Sequence, residues 1–409
     1  MNGVTYKTTK SGLTLCCIKK PGYVEKQAMV AVNCGSADVN LTGERGGFTL
    51  PYGTAHYLEH KMFEKKHGNI FDDFSALGAD ANAYTSLDTT AYYFTCRDNF
   101  EKCLSLLAQM VTEPHLTDKG VESERGIIES EITMYEDDPG WQAYFGMLGG
   151  LYAENPVRVP IAGSKEDISR IDADTLKLLY RSMYTPDNII VIAAGDIDEE
   201  SFFEQAEKEF VFSPREKARS EFPTEENINR VSVKKHMSVA TPIFSIGYKE
   251  KDFDMPPLMR MLTSRILMDI FAGKGSVLYE KLYTSGLCTA PPTLEYICGS
   301  GYGISVISGS SSKPEILLSR LDNEIDNFLS YGISEKYLKR IIAKSRGELK
   351  QNTDSLSFCC SFAADCFAKS IKILDIFDKY DNINSDELLL RLKDHFRADS
   401  LCMCEILPN

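Results

Sequence analysis

The sequence predicts a fold of mixed helices and strands, built twice along one chain, on three observations. Strand and helix patterns follow one another without the strict alternation of a parallel α/β sheet. A polar stretch without periodicity divides the chain near its middle, and the order of elements after it repeats the order before it.

In the first half, residues 13–18 and 28–33 alternate at period two and read as strands. Helical patterns follow at 54–65 and 69–77, then strands at 81–86 and 90–96. Long amphipathic helices come next at 100–111 and 118–136. Residues 213–229 are polar, proline-punctuated and aperiodic, so they read as a linker between domains at 1–212 and 230–409. The second half gives strands at 231–235 and 239–248, a helix at 257–271, strands at 293–298 and 304–308, and helices at 314–329 and 335–349. Laying Ile127 on Ile341 sets an offset of 214, which also drops residues 83–96 onto 297–310. The pattern is that of a duplicated domain.

Composition narrows the function classes. At 409 residues the chain suits two domains, and 43% apolar with 25% charged residues is ordinary for a globular protein. A net charge of -14 without any Lys/Arg block argues against nucleic acid or anionic membrane as the main partner. No apolar run approaches the roughly 20 residues that span a bilayer, and the opening from Met1 to Tyr6 lacks the pattern of a signal peptide. The twelve cysteines, with Cys16-Cys17 and Cys359-Cys360 adjacent and no CxxC pair, fit buried thiols in a reducing cytoplasm.

The residues that carry chemistry are His56-Tyr57-Leu58-Glu59-His60. On a helix, positions i, i+3 and i+4 share a face, so His56, Glu59 and His60 project together while Ala55, Leu58 and Met62 turn to the core. Two imidazoles one turn apart can bind one Zn²⁺ at about 2.0–2.1 Å, with Glu59 beside them as general base on the zinc-bound water. The ordinary alternative is a pair of surface or core histidines. With six histidines in 409 residues, that spacing with Glu between them rarely arises by chance. The 214 offset places Ile270-Phe271-Ala272-Gly273-Lys274 opposite the motif, which leaves the second domain as an inactive repeat without ligands.

A catalytic zinc needs a third protein ligand. The helix over 118–136 offers Glu124 and Glu131, two turns apart on one face, while Glu129 points elsewhere. Glu131 is therefore the expected ligand and Glu124 the residue that orients a ligand from behind.

With these residues in place the chain resembles the pitrilysin-type inverzincin peptidases, which include insulin-degrading enzyme and the mitochondrial processing peptidase. The likeness rests on His56-x-x-Glu59-His60, Asn82-Ala83-Tyr84-Thr85-Ser86 with Thr90-x-Tyr92, Glu124-Arg125 with Ile127-Ile128 and Glu131, and Tyr184-x-Pro186-x-Asn188 before a strand ending Gly195-Asp196. Within the family it is most similar to a bacterial subgroup of comparable length associated with elongation factor P modification. The stretches from Leu58 to Glu64 and from Met134 to Asp137 carry that likeness.

The resemblance implies an α+β fold of two domains of one topology, each a mostly antiparallel sheet covered by helices. It implies a clamshell of two such chains, identical or different, around a chamber. Residues 82–86 would be the edge strand that a peptide extends, making Asn82, Ala83, Tyr84 and Thr85 substrate-binding. The spacing from His60 to Glu131 is slightly shorter than the family usually shows, so Glu129 stays open as an alternative ligand. The family's substrate-gripping Arg and Tyr have no match in the C-terminal half, which points to a partner chain for them.

The expected activity is zinc-dependent endopeptidase, one Zn²⁺ per chain. The rivals are a non-catalytic scaffold or regulatory subunit of a two-chain processing peptidase, and a small-molecule lyase that also carries an HxxEH helix but is much shorter. His67, His115, His236 and His395 read as surface or structural. Trp141 with Tyr144-Phe145 reads as aromatic packing behind a helix break, and residues 299–303 as a turn.

Overall fold

A computed structural model describes residues 3–44, 46–213, 215–251, 254–380 and 382–409. Met1 and Asn2 of the opening and Pro214 of the expected linker lie outside the described residues. The chain divides into two compact units, residues 1–132, 160–221 and 350–374 in the first, and 133–159, 222–349 and 375–409 in the second. A single cut at 213–229 thus separates most of the chain, but each unit also holds a segment from the other half. The 213–229 stretch is not bare linker either, because Arg219–Ser220 pairs antiparallel with Asn40–Gly43 and Ala218 is buried.

The first unit is organised on strands β1 (Val4–Thr8), β2 (Thr14–Lys19), β3 (Lys26–Val32), β4 (Asp80–Thr85), β5 (Thr90–Cys96) and β6 (Ile189–Gly195). They lie in the order β1-β2-β6-β3-β5-β4, with β2 and β6 parallel and every other pair antiparallel. β6, Ile-Ile-Val-Ile-Ala-Ala-Gly, is buried along its whole length because it is central and covered on both faces. One face packs Leu15, Val30, Tyr92, Phe94 and Val191 into the main core with the helix Phe100–Thr112. The site helices α1 (Thr54–Lys61) and α2 (Asp118–Glu136) feed the same core through Tyr57, Leu58, Val121, Ile128 and Ile132. The helical pattern at 54–65 overshoots: α1 stops at Lys61, and Glu64–Lys65 pairs with Gly68–Asn69 instead. That turn lets the buried Lys65 ammonium reach the carbonyls of Met110 and Glu113 at 2.8 and 2.9 Å.

The second unit has strands β7 (Ser232–Met237), β8 (Ile243–Lys249), β9 (Thr293–Gly299), β10 (Tyr302–Ser310) and β11 (Leu401–Pro408). Their order is β7-β11-β8-β10-β9, with β7 and β11 parallel and the rest antiparallel. This repeats the order and directions of β2-β6-β3-β5-β4. Within 299–303 the turn of the β9–β10 hairpin is Ser300-Gly301, flanked by the paired Gly299 and Tyr302; Gly301 has φ 78 and so occupies the left-handed region that favours glycine. A buried charge cluster lies in this unit: Glu250 holds Arg391 and Arg260 and accepts from the Tyr296 hydroxyl.

Each unit owes one covering helix to the exchanged segment. Helix α3 (Pro139–Leu151) begins at Asp138, whose side chain accepts from the Trp141 amide at 2.7 Å, and packs on β8 and β11 of the second unit. Trp141 stacks on Tyr135 with ring centroids 4.5 Å apart, the aromatic packing its sequence context predicts. Helix α4 (Leu356–Ala368) packs on β3 and β6 of the first unit and brings Cys359, Cys360 and Cys366 beside Cys16. All twelve cysteines are free and buried, acting as small apolar residues. No helix among the described residues is long and apolar enough to cross a membrane.

Helix α3 approaches β11 closely through glycines four residues apart. A methyl group at Gly150 would overlap the Cys402 sulfur, and one at Gly146 the Cys404 sulfur. Gly150→Ala is therefore expected to destabilise the protein by about 1–3 kcal/mol, seen as a lowered Tm. Adding Cys402→Ala makes room and recovers most of the loss; equal melting of the single and double variants would rule out the overlap as the cause.

Candidate metal centre

Helix α1 starts from a backbone only glycine tolerates well. Gly53 has φ 84, and a Cβ there would run into the Ala162 carbonyl oxygen. From that cap the helix places Ala55, Tyr57 and Leu58 in the core and turns His56, Glu59 and His60 toward α2. Two bonds fix the distance between the helices. The Tyr57 hydroxyl donates to the Val121 carbonyl at 2.5 Å, and the buried Lys61 ammonium donates to the Gly120 carbonyl at 2.9 Å. Arg125 ties α2 to the end of the short helix Lys165–Ser169 and the residues after it through the carbonyls of Ile168 and Ile171.

Across that gap the acidic side chains meet the imidazoles. His56 Nε2 lies 3.5 Å from Glu131 Oε1, and His60 Nε2 lies 3.4 Å from Glu131 Oε2. Ligand atoms of these three residues all fall within 4.8 Å of one another, the one such grouping of His, Cys, Asp and Glu among the described residues. Glu129 is outside it. Tetrahedral ligands at ordinary zinc distances stand about 3.3 Å from each other, so the donor set fits Zn²⁺ in spacing as well as in chemistry. Glu124 Oε1 lies 3.0 Å from His60 Nδ1, which orients the ring and leaves Nε2 for a cation.

The electrostatics follow from burial and charge. Burial opposes a charge on His60, yet hydrogen bonds with Glu124 and Glu131 outweigh it and push the pKa up to about 9. The same contact with His60 holds the Glu124 carboxyl below its usual range. Burial raises the Glu59 carboxyl above its ordinary value, against the pull of His56 and a hydrogen bond from the Thr85 hydroxyl at 2.7 Å.

The four strand residues expected to touch substrate separate into different surroundings. β4 is the edge of its sheet, so among the described residues its outer backbone groups have no strand neighbour. Asn82 lines a cleft of about 790 Å³ beside the centre, and its side chain accepts from the Ala83 amide at 2.8 Å. Ala83 packs against the core, Tyr84 lies beside Ser361 of α4, and Thr85 reaches Glu59. The cleft walls also include Phe63, Phe71, His67 and His115. Two histidines read as merely surface or structural thus stand next to the centre, His67 paired with Asp73 at 2.8 Å. No spacing to the motif could have singled them out.

Fold and centre together define a two-repeat α+β protein with one candidate cation site among the described residues. The description of the insulinase family, peptidase family M16, matches residues 42–162, and that of the M16 inactive domain matches residues 170–345. A Bacillus subtilis protein named as the uncharacterized zinc protease YmfH is 30% identical over 414 residues, covering 99% of this chain and 96% of that one. The crystal structure of an M16-like peptidase from Alicyclobacillus acidocaldarius superposes with a TM-score of 0.95 at 28% identity, over 99% and 98% of the two chains. Pitrilysin shares the fold, with a TM-score of 0.77 at 16% identity over 99% of this chain and 45% of its own. The chain belongs to peptidase family M16.

Two outcomes follow for the centre. Glu124→Ala is expected to weaken zinc binding about 10- to 100-fold while leaving the fold intact, read by competition with a chromophoric chelator. A protonated His60 must also lose its proton before it can hold a cation. Zinc affinity should therefore rise by up to about tenfold per pH unit between neutrality and about 9, and flatten above. Titrations across that range check the slope.

Proposed function

We propose that this chain is a zinc-dependent endopeptidase that hydrolyses peptides or unfolded segments inside a clamshell formed with a second chain of the same fold. The observation that carries the reading is the convergence of His56, His60 and Glu131 on one point, with the Glu59 carboxylate beside it. Zinc names among the relatives and the matched M16 description support it. A purely scaffolding role has no use for a complete donor set.

In this reading His56, His60 and Glu131 hold Zn²⁺, and Glu124 keeps His60 in the required tautomer. Bound there, Zn²⁺ supplies a Lewis acid that polarises the scissile carbonyl and acidifies the attacking water. Glu59 takes a proton from that water as its oxygen bonds to the carbonyl carbon, and then delivers the proton to the nitrogen of the leaving amine as the C–N bond breaks. A carboxyl whose pKa is raised by burial is a stronger base than a solvated one, which suits this task. The substrate lies extended along β4, hydrogen-bonded to the free edge, with side chains in the adjoining cleft.

Pitrilysin is matched over less than half its length, which leaves room in that chain for a second part of this size. A second chain, identical or different, would fill that place here. The reducing cytoplasm suits twelve buried free thiols.

Glu59→Gln is expected to keep its zinc and lose cleavage by at least about 100-fold, measured on a peptide digest by mass spectrometry. Glu131→Gln should lose zinc itself, seen by elemental analysis. Chelator treatment of the wild type should abolish cleavage, and stoichiometric zinc should restore it; cleavage by stably metal-free protein refutes the proposal.

A further inference from the structure

We infer that Thr85 is a positioning residue, its hydroxyl aiming the Glu59 carboxylate from the end of the strand along which substrate lies. The inference rests on Glu59 acting as the base. Glu59 is buried to 8% exposure, and among the described residues Thr85 is the only donor hydrogen-bonded to it, Oγ1 to Oε2 at 2.7 Å. A desolvated carboxylate on a two-torsion stem has several rotamers available. One charge-assisted bond selects among them and occupies one oxygen, leaving the other to receive the proton.

The location ties this bond to recognition. Along β4 side chains alternate, so Ala81, Ala83 and Thr85 share a face, with Ala81 in the core and Ala83 packed against it. Tyr84 turns the opposite way, where burial raises its hydroxyl pKa to about 12 and Ser361 of α4 hydrogen-bonds it. Thr85 is the last residue of the strand and pairs with Thr90 on its inner side only. The turn beyond it is held in turn: the Ser86 amide donates to the Thr89 carbonyl at 2.7 Å, and Lys369 lies 3.5 Å from Asp88. A threonine hydroxyl pinned between this turn and a strand edge cannot drift, and a peptide added to the edge stiffens it further. The step it serves is unchanged: a water O–H bond breaks, the proton goes to Glu59, and the amine nitrogen receives it when the C–N bond is cut.

The test compares Thr85→Val, which keeps shape and strand preference but lacks the hydroxyl, with Thr85→Ser, which keeps the hydroxyl. Thr85→Val is expected to lower kcat about 10- to 100-fold with KM and zinc content unchanged, and Thr85→Ser to stay within about threefold of wild type. In the Glu59→Gln background, Thr85→Val should cause no further loss, because no base remains to be aimed. If Thr85→Val keeps the wild-type kcat, loses zinc, or lowers the Glu59→Gln rate by its full factor, the positioning role is wrong while the base assignment stands. If Thr85→Ser falls as far as Thr85→Val, the effect is structural and the inference fails. Wild-type cleavage by Glu59→Gln would instead overturn the base itself.

Discussion

The centre depends on a fixed separation between α1 and α2. Metal ligands tolerate errors of a few tenths of an ångström, which side-chain flexibility alone does not guarantee. Here the spacing is set by two polar groups on the same helix as the histidines. Tyr57 and Lys61 follow His56 and His60 by one residue each, and they reach the Val121 and Gly120 carbonyls one turn before Glu124. Any shift of α2 that moved Glu124 or Glu131 would stretch a bond to a fully buried donor, at the cost of an unsatisfied hydroxyl or ammonium. Gly120 is part of this device, since a side chain there would displace the Glu64 carboxylate that neutralises Lys61.

How much of this was legible in the sequence depended on whether the signal was local. Helical periodicity places His56, Glu59 and His60 on one face without knowledge of the fold, and the same rule pairs Glu124 with Glu131. Strand alternation gave β3, β5 and the β9–β10 hairpin to within a residue or two, and the 214 offset matched the repeated strand order. What stayed hidden was long-range. Nothing local says that Thr85 faces Glu59, that His115 lines the cleft, or that the helix Leu356–Ala368 belongs with residues 1–132. An amphipathic pattern announces a buried face but not which surface covers it.

The two repeats also show what a fold requires and what a site requires. Five strands keep order and direction in both units, because register is specified wherever one face of a sheet is buried. The second unit keeps that core, and among its described residues no grouping of His, Cys, Asp and Glu could hold a metal ion; the helix that follows β8 carries Arg260 and Ser264, which join Glu250 and Arg391 in a buried ion-pair cluster. Polar groups are retained there too, but they face each other instead of a point in space. In that cluster each Glu250 carboxylate oxygen faces a guanidinium, whereas Glu131 stands 3.5 Å from His56 and 3.4 Å from His60, the spacing of donors around a shared ion.

In the proposed function the strand edge supplies the last connection between recognition and chemistry. Backbone pairing at a strand edge is indifferent to peptide sequence, so under the proposed function β4 alone would bind peptides without regard to which bond meets Glu59. The hydroxyl that bonds Glu59 sits on the final residue of that edge, so under the proposed function the backbone of Thr85 would belong to the binding surface and its hydroxyl to the carboxylate. The offset that aligns the repeats drops Thr85 on Gly299, which has no side chain, just as it drops the metal motif on residues without ligands. Hydroxyl and donor set are thus both missing at the aligned positions of the second repeat. β9 is also an edge strand, so a threonine serving only strand stability would have had equal use there; the glycine in its place agrees with the positioning role proposed for Thr85.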